Sequence, residues 1–185
     1  FRDKLTIAIN SALLLELLHA QNIIANNIND EQLYINKNLD IQIVDLSLAS
    51  KVSTIHKKIP DTHLDSQWLP TMSPEFSGRM NRAVDKQADL YSLGATLFKV
   101  FTGRYPFEYK DDMEMVHAHI AKVPHLAHHF NNEIPEQIST ILSKLLKKNP
   151  EKRYKTAQGL AEDFKRCLSV LNTDNSIDLF PIGQR

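Results

Sequence analysis

The sequence predicts a mainly α-helical domain with one small β-hairpin near its start. Three observations carry that prediction. Five segments repeat apolar residues at the three-to-four spacing of a helix face. Two short apolar runs, 33–36 and 41–44, flank Asn36, Lys37 and Asn38, which suit a hairpin turn. Between the hairpin and the later helices lies a polar stretch, 48–72, with two prolines and no sustained period.

The first helix is expected over 1–22. Leu5, Ile9, Leu13 and Leu17 form one stripe, and Ala12, Leu14, Leu15 and Leu18 widen it almost all round, which predicts a buried helix. The stretch 48–72, about 25 residues, is of a length usually reserved for functional or disordered loops. A second helix over 88–101 carries Leu90, Leu93, Leu97 and Phe101 and stops at Thr102-Gly103. A shorter helix follows over 112–122. The helix over 135–147 carries Ile138, Ile141, Leu142 and Leu145, with Pro135 suited to its first turn. The last, over 156–171, carries Leu160, Phe164, Leu168 and Leu171. From Asn172 the chain is polar and turn-rich until Leu179-Phe180-Pro181. No internal repeat or low-complexity tract interrupts this order.

Composition narrows the function. Lys+Arg and Asp+Glu each number 22, so the chain is formally neutral and offers no electrostatic case for nucleic acid. Hydrophobic residues at 42% and charged residues at 24% are ordinary for one globular domain. Cys167 is the single cysteine and forms no internal disulfide, so nothing points to an oxidising compartment and the expectation is cytoplasmic. The apolar run 12–18 is too short to span a bilayer, and no signal-peptide pattern precedes it. The chain opens on Phe1 rather than Met and is read as a piece of a longer protein.

Four strings, in order, carry a resemblance. Asp45-Leu46-Ser47 follows the second predicted strand. Ser73-Pro74-Glu75 closes the long loop. Asp89-Leu90-Tyr91-Ser92-Leu93-Gly94 opens the central helix. Asn149-Pro150-Glu151-Lys152-Arg153-Tyr154 precedes the last helix. In this order and spacing they resemble the Asp-Phe-Gly, Ala/Ser-Pro-Glu, D-x-W-S-x-G and N-P-x-x-R strings of protein kinases. The resemblance covers residues 1 to about 171 and implies the helical C-terminal lobe of a kinase. No Gly-rich loop, strand lysine or partner-glutamate helix lies upstream, so the small N-terminal lobe is expected to be absent from this chain. The run 73–82, the string Val116-His117-Ala118-His119-Ile120-Ala121-Lys122 and the ending Phe180-Pro181-Ile182-Gly183-Gln184 are similar to one bacterial group. In that group a kinase-like domain leads a very large protein, with an ATPase module and often a sensor histidine kinase after it. This implies a lobe over 1–171 and a linker over 172–185 toward an ATPase module.

The resemblance also implies roles. Glu75 and Arg153 would form the buried ion pair of the fold, a partnership favoured because a lone buried charge costs several kcal/mol. Asp89 would accept backbone N–H bonds from the catalytic loop; its bland alternative is a helix cap. The catalytic loop itself departs from the pattern. Kinases carry H-R-D-x-x-x-x-N; here 25–32 reads Ala-Asn-Asn-Ile-Asn-Asp-Glu-Gln. Asn27 falls at the catalytic aspartate, 18 positions before Asp45. An amide does not accept a proton near neutral pH, and loss of a general base typically costs about 10²–10⁴ in rate. Gln32 stands at the second metal-binding asparagine, one methylene longer than the tight octahedron of Mg²⁺ prefers. Ala25 replaces a packing histidine, and Asn26 the arginine that receives a phosphorylated loop. Asp30 is a weak substitute base. Trp68 occupies the place of the threonine that contacts the catalytic aspartate, as a groove filler, a partner anchor or an ordinary packed tryptophan. Asp45 survives as a Mg²⁺ ligand of Mg-ATP, or as a strand-end aspartate bonding nearby N–H groups.

Other chemistry finds less support. His117 and His119 sit two apart on a helix and face away from each other, and no zinc or hydrolase motif accompanies the remaining histidines. Ser53, Thr54, Thr62 and Ser66 are phosphorylatable, but their receiving arginine is missing at position 26. The functional expectation is a pseudokinase lobe. It would be a regulatory or scaffold module whose partners are other domains of the same polypeptide, an ATPase or histidine kinase, or a signalling protein. It would insert into no membrane, and the chain alone would hold no cofactor. The alternative is an active or weakly active Ser/Thr kinase whose ATP-binding small lobe lies outside this chain.

Overall fold

A computed structural model describes residues 1–51, 66–80 and 82–184. Five helices and two small antiparallel sheets follow one another in it: α1 (Arg2–Ala20), β1 (Ile23–Ile24), β2 (Leu33–Ile35), β3 (Ile41–Ile43), β4 (Ser50–Lys51), α2 (Lys86–Thr102), α3 (Asp112–Ala121), α4 (Glu136–Leu145) and α5 (Ala157–Ser169). Short 3-10 turns lie at Leu69–Thr71, Glu75–Ser77, Ala127–His129 and Pro150–Lys152. The mainly helical expectation holds, and the hairpin is present as β2–β3 with Tyr34 opposite Gln42. Its turn is built by Asn36, whose side-chain oxygen accepts from the backbone N–H groups of Asn38 and Asp40.

The pairing of β1 with β4, Ile23 with Lys51 and Ile24 with Ser50, was not expected. Ser50–Lys51 falls within the stretch expected to be loop, and two residues are too few to show a period. Ser53, Thr54 and Thr62 lie outside the described residues, as does Asn81; Ser66 is described and exposed.

Helix α2 is the centre. Its N-cap is Asp85, which accepts from the Gln87 N–H at 2.9 Å, so the helix begins two residues before the expected start. It ends as expected at Gly103, which adopts φ 82°, the left-handed conformation that a glycine takes without steric cost. Leu90, Tyr91, Leu93, Leu97, Phe98 and Phe101 are all buried, and the main core extends from them to α1, α4 and α5. A second cluster joins Leu69, Met72 and Phe76 to Phe107, Met115 and Val116, so the segment after Gln67 rests on α3.

Helix α1 is covered by α5, α2 and the strands β1 and β3, which accounts for an apolar sequence on most of its sides. The expected stripe needs one correction. Leu5 and Ile9 are buried, Leu13 is half-buried, and Leu17 is 66% exposed. A step of four residues overshoots a helical turn by roughly 40°, so a strict four-residue row drifts out of the contact face. The buried row runs instead through Ala8, Ala12, Leu15 and His19.

Helices α2 and α4 approach closely at Gly94. A Cβ there would lie 2.6 Å from the Leu145 Cβ, inside any real contact. Gly94→Ala is expected to push the two helices apart and cost about 1–3 kcal/mol, the usual penalty of overpacking. Urea unfolding followed by circular dichroism measures it, and an unchanged midpoint would show that the helices have slack there.

Candidate functional site

The site is assembled around the loop after β1. Asp89, in the first turn of α2, has no exposed surface. Its Oδ2 accepts from the Ala25 N–H at 2.8 Å and from His19 Nε2 at 2.9 Å. Its Oδ1 accepts from the Asn26 N–H at 2.8 Å. A buried carboxylate needs such donors, and charge-assisted bonds of this kind are the strong ones. His19 was not singled out in the sequence; its distance in sequence from Asp89 hides the pairing.

With the backbone held, the side chains of Asn26 and Asn27 are aimed. Asn26 sits at φ 68°, a conformation asparagine tolerates better than most residues. Its Nδ2 donates to the Leu48 carbonyl at 2.5 Å and to Ser50 Oγ at 3.0 Å. Asn27 is 1% exposed. Its Oδ1 accepts from the Thr71 hydroxyl at 2.9 Å and its Nδ2 donates to the Trp68 carbonyl at 3.4 Å. One asparagine therefore holds the start of the stretch 48–72, and the other holds its end. The partner that reaches Asn27 through its side chain is Thr71; half-buried Trp68 contributes its backbone carbonyl.

The far side is fixed by Glu75 and Arg153, 1% and 2% exposed. Arg153 Nη1 lies 2.5 Å from Glu75 Oε1 and Nη2 lies 2.9 Å from Oε2, a bidentate pair. The guanidinium also donates to the carbonyls of Lys147, Gln87 and Lys148 and lies over the Tyr91 ring. Both charges are thus paired and bonded, the condition for keeping them in a core.

Asp30 is engaged by partners other than Asn27. It pairs with Lys99 at 2.7 Å and accepts from the Tyr105 hydroxyl. Burial pushes its carboxyl up, but the bonds from Lys99 and Tyr105 outweigh that and hold it below the usual range.

Asp45 is exposed at the end of β3, and its oxygens accept from the Ser47 N–H at 2.8 Å and the Ser47 hydroxyl at 3.1 Å. Gln32 stands close by, because its carbonyl accepts from the Val44 N–H, yet it is 7% exposed. A magnesium–nucleotide complex would draw on these two residues. The set does not fit: it is one carboxylate closed onto its own turn and one buried amide, where Mg²⁺ asks for open oxygens at octahedral positions. Among the described residues no cluster of three or more His, Cys, Asp or Glu side chains is placed to hold a metal ion.

A family model described as protein kinase domain matches residues 4–165. The chain belongs to the protein kinase domain family. The kinase domain is similar to hybrid signal transduction histidine kinase G of Dictyostelium discoideum, 41% identical over 125 residues, which is 65% of this chain and 4% of that protein. It is similar to serine/threonine-protein kinase PksC of Streptomyces coelicolor, 26% identical over 156 residues, 84% of this chain and 27% of that protein. It is also similar to serine/threonine-protein kinase PrkC of Bacillus subtilis, 28% identical over 152 residues, 82% of this chain and 23% of that protein. The chain thus spans about a quarter or less of the length of these relatives. Among the described residues of the kinase domain, no helix is long and apolar enough to cross a membrane.

Beside the Glu75–Arg153 pair runs a buried chain of bonds. Lys148 Nζ lies 3.3 Å from the Tyr91 hydroxyl and donates to the Ala118 carbonyl at 3.1 Å. The Tyr91 hydroxyl lies 2.9 Å from His119 Nδ1. Burial pushes the Lys148 amine down to about 7, and the charge of Arg153 acts in the same direction. Burial also pushes His119 down to about 3, with the Lys148 charge contributing.

Two outcomes follow for the kinase domain. Glu75→Gln leaves Arg153 buried and unpaired and is expected to cost about 3–5 kcal/mol, with Glu75→Gln/Arg153→Met less destabilised than the single variant. A double-mutant cycle in urea decides, and additive losses would show that the pair acts as two independent residues. From pH 7 to the ordinary lysine value of 10.5, the unfolded chain holds a proton on Lys148 that the folded chain releases, so stability rises with pH across that window. Unfolding midpoints at pH 7 and 9 measure the rise, and Lys148→Met should flatten it; an equal slope in the variant would assign it to other groups.

Proposed function

We propose that this kinase domain does not transfer phosphate and serves as a regulatory or scaffold module of a multidomain signalling protein. The observation that carries the reading is the occupation of Asn27. The residue at the place of the catalytic base is a neutral amide, and both of its functional atoms are engaged by the end of the long loop. A general base must be within reach of the substrate hydroxyl and able to take its proton. Asn27 has no basic atom, and its acceptor oxygen already serves Thr71. Asp30, the nearest carboxylate in sequence, is committed to Lys99 and Tyr105.

The same geometry favours a scaffold. Catalytic-loop positions that carry charge in active kinases carry amides here, and those amides tie the two flanks of the long loop to the core. A surface fixed in this way binds at low ordering cost. The partners in this reading are other modules of the same polypeptide, in keeping with the likeness to a hybrid signal transduction histidine kinase.

The test is phosphotransfer from labelled Mg-ATP in the protein as the cell makes it, with Asp45→Ala as control and Asn27→Asp as the second arm. The expected result is wild-type incorporation no higher than in Asp45→Ala. Wild-type incorporation above that control would overturn the reading. A gain in Asn27→Asp of up to about 10²–10⁴ would place the defect at the base itself.

A further inference from the structure

The residues after α5 do not leave the lobe. The chain turns back at Asn172, whose N–H donates to the Ser176 carbonyl at 3.1 Å. Ile177 then enters the main core, and Phe180 and Ile182 pack against it.

The seat for this segment is built from α4 and α5. Gln137, in the first turn of α4, is 1% exposed. Its Oε1 accepts from the Phe180 N–H at 3.0 Å, and its Nε2 donates to the Phe180 carbonyl at 3.2 Å. One side-chain amide thus reads both backbone groups of one residue, as a neighbouring β-strand would. On α5, Asp163 Oδ2 accepts from the Gly183 N–H at 2.7 Å and from the Tyr154 hydroxyl at 2.7 Å. The Arg166 guanidinium lies 4.1 Å from the centre of the Phe180 ring, within cation–π range. Pro181, between the two bonded amides, carries no N–H that would need a partner. Gly183 sits at φ 66°, and a Cβ there would lie 2.5 Å from Lys144 Cε.

Each feature selects the residue it meets. A polar side chain on the apolar face that presents Ile138, Ile141, Leu142 and Leu145 is a liability without a bonding partner. Gln137 has one because the strap lies over it. Asp163 also accepts from Tyr154, the residue after Arg153, so the seat is tied to the chain that carries the buried ion pair.

We propose that α4 and α5 form a peptide-binding groove whose ligand is this chain's own segment 177–183, held by Gln137, Asp163 and Arg166. The segment is a strap belonging to the lobe rather than a free linker. The groove fits an extended peptide with an aromatic residue, a proline, an aliphatic residue and a glycine in succession.

Hydrogen exchange of single amides in the intact chain tests this. The Phe180 and Gly183 amides are expected to exchange at least tenfold more slowly than in an unstructured peptide. Gln137→Ala should release Phe180 to the unstructured rate while the amides of α2 stay protected. Free exchange at Phe180 in the wild type would overturn the proposal, as would unchanged protection in Gln137→Ala. Should Gln137→Ala expose α2 as well, Gly183→Val decides. It must free Phe180 with α2 still protected, and failure to do so overturns the strap.

Discussion

The Asp89 carboxylate sits in the first turn of α2 with no exposed surface and three donors upon it. A buried carboxylate short of donors is among the costlier defects a core can carry, so the groups that serve it are constrained as firmly as the carboxylate itself. His19 brings in the end of α1. The amides of Ala25 and Asn26 bring in the loop after β1. Once those two amides are fixed, the side chains of Asn26 and Asn27 have little choice of direction, and both flanks of the long loop follow. Glu75 and Arg153 complete the frame from the opposite side by anchoring the turn Glu75–Ser77, which follows the turn whose Thr71 donates to Asn27.

The exchange of charge for amide in this loop has a definite physical meaning. A carboxylate and a guanidinium act at range, respond to salt and await a phosphate or a metal. An asparagine side chain is neutral, donates on one atom and accepts on the other, and is satisfied by geometry alone. Asn27 uses both capacities at once, and Asn26 donates to two partners. A contact of this kind holds the same conformation across ordinary salt and pH.

Much of this was legible in the sequence, for reasons that differ by element. Helices α2, α4 and α5 announce themselves through apolar period, and the first two through Gly103 and Pro135 at their ends, all local signals. Glu75, Arg153 and Asp89 were identifiable because short motifs name them, and the structure brings Glu75 to Arg153 and Asp89 to the loop amides. What escaped is what depends on distant neighbours. The β1–β4 pair is two residues long. Leu17 drifts off the contact face by the arithmetic of helical pitch. Thr71 and His19 look like any threonine and histidine until their partners arrive from far along the chain. The residues after Asn172 read as linker because their polarity is real, and the bonds of Phe180 to Gln137 and of Gly183 to Asp163 again join positions distant in sequence.

The Glu75–Arg153 bridge and the bonds of Asp89 span 63 to 78 residues of sequence. Local helices form in microseconds, but contacts between such distant positions come only after large loops have closed, and folding slows as their share rises. Until Arg153 has been made, Glu75 has no counter-charge to bury, so a chain emerging from the ribosome cannot yet close that frame. Chains that expose apolar surface before they close aggregate readily. The bonds that make the finished lobe firm therefore also make its assembly late, and place its vulnerability in biosynthesis rather than in the native state.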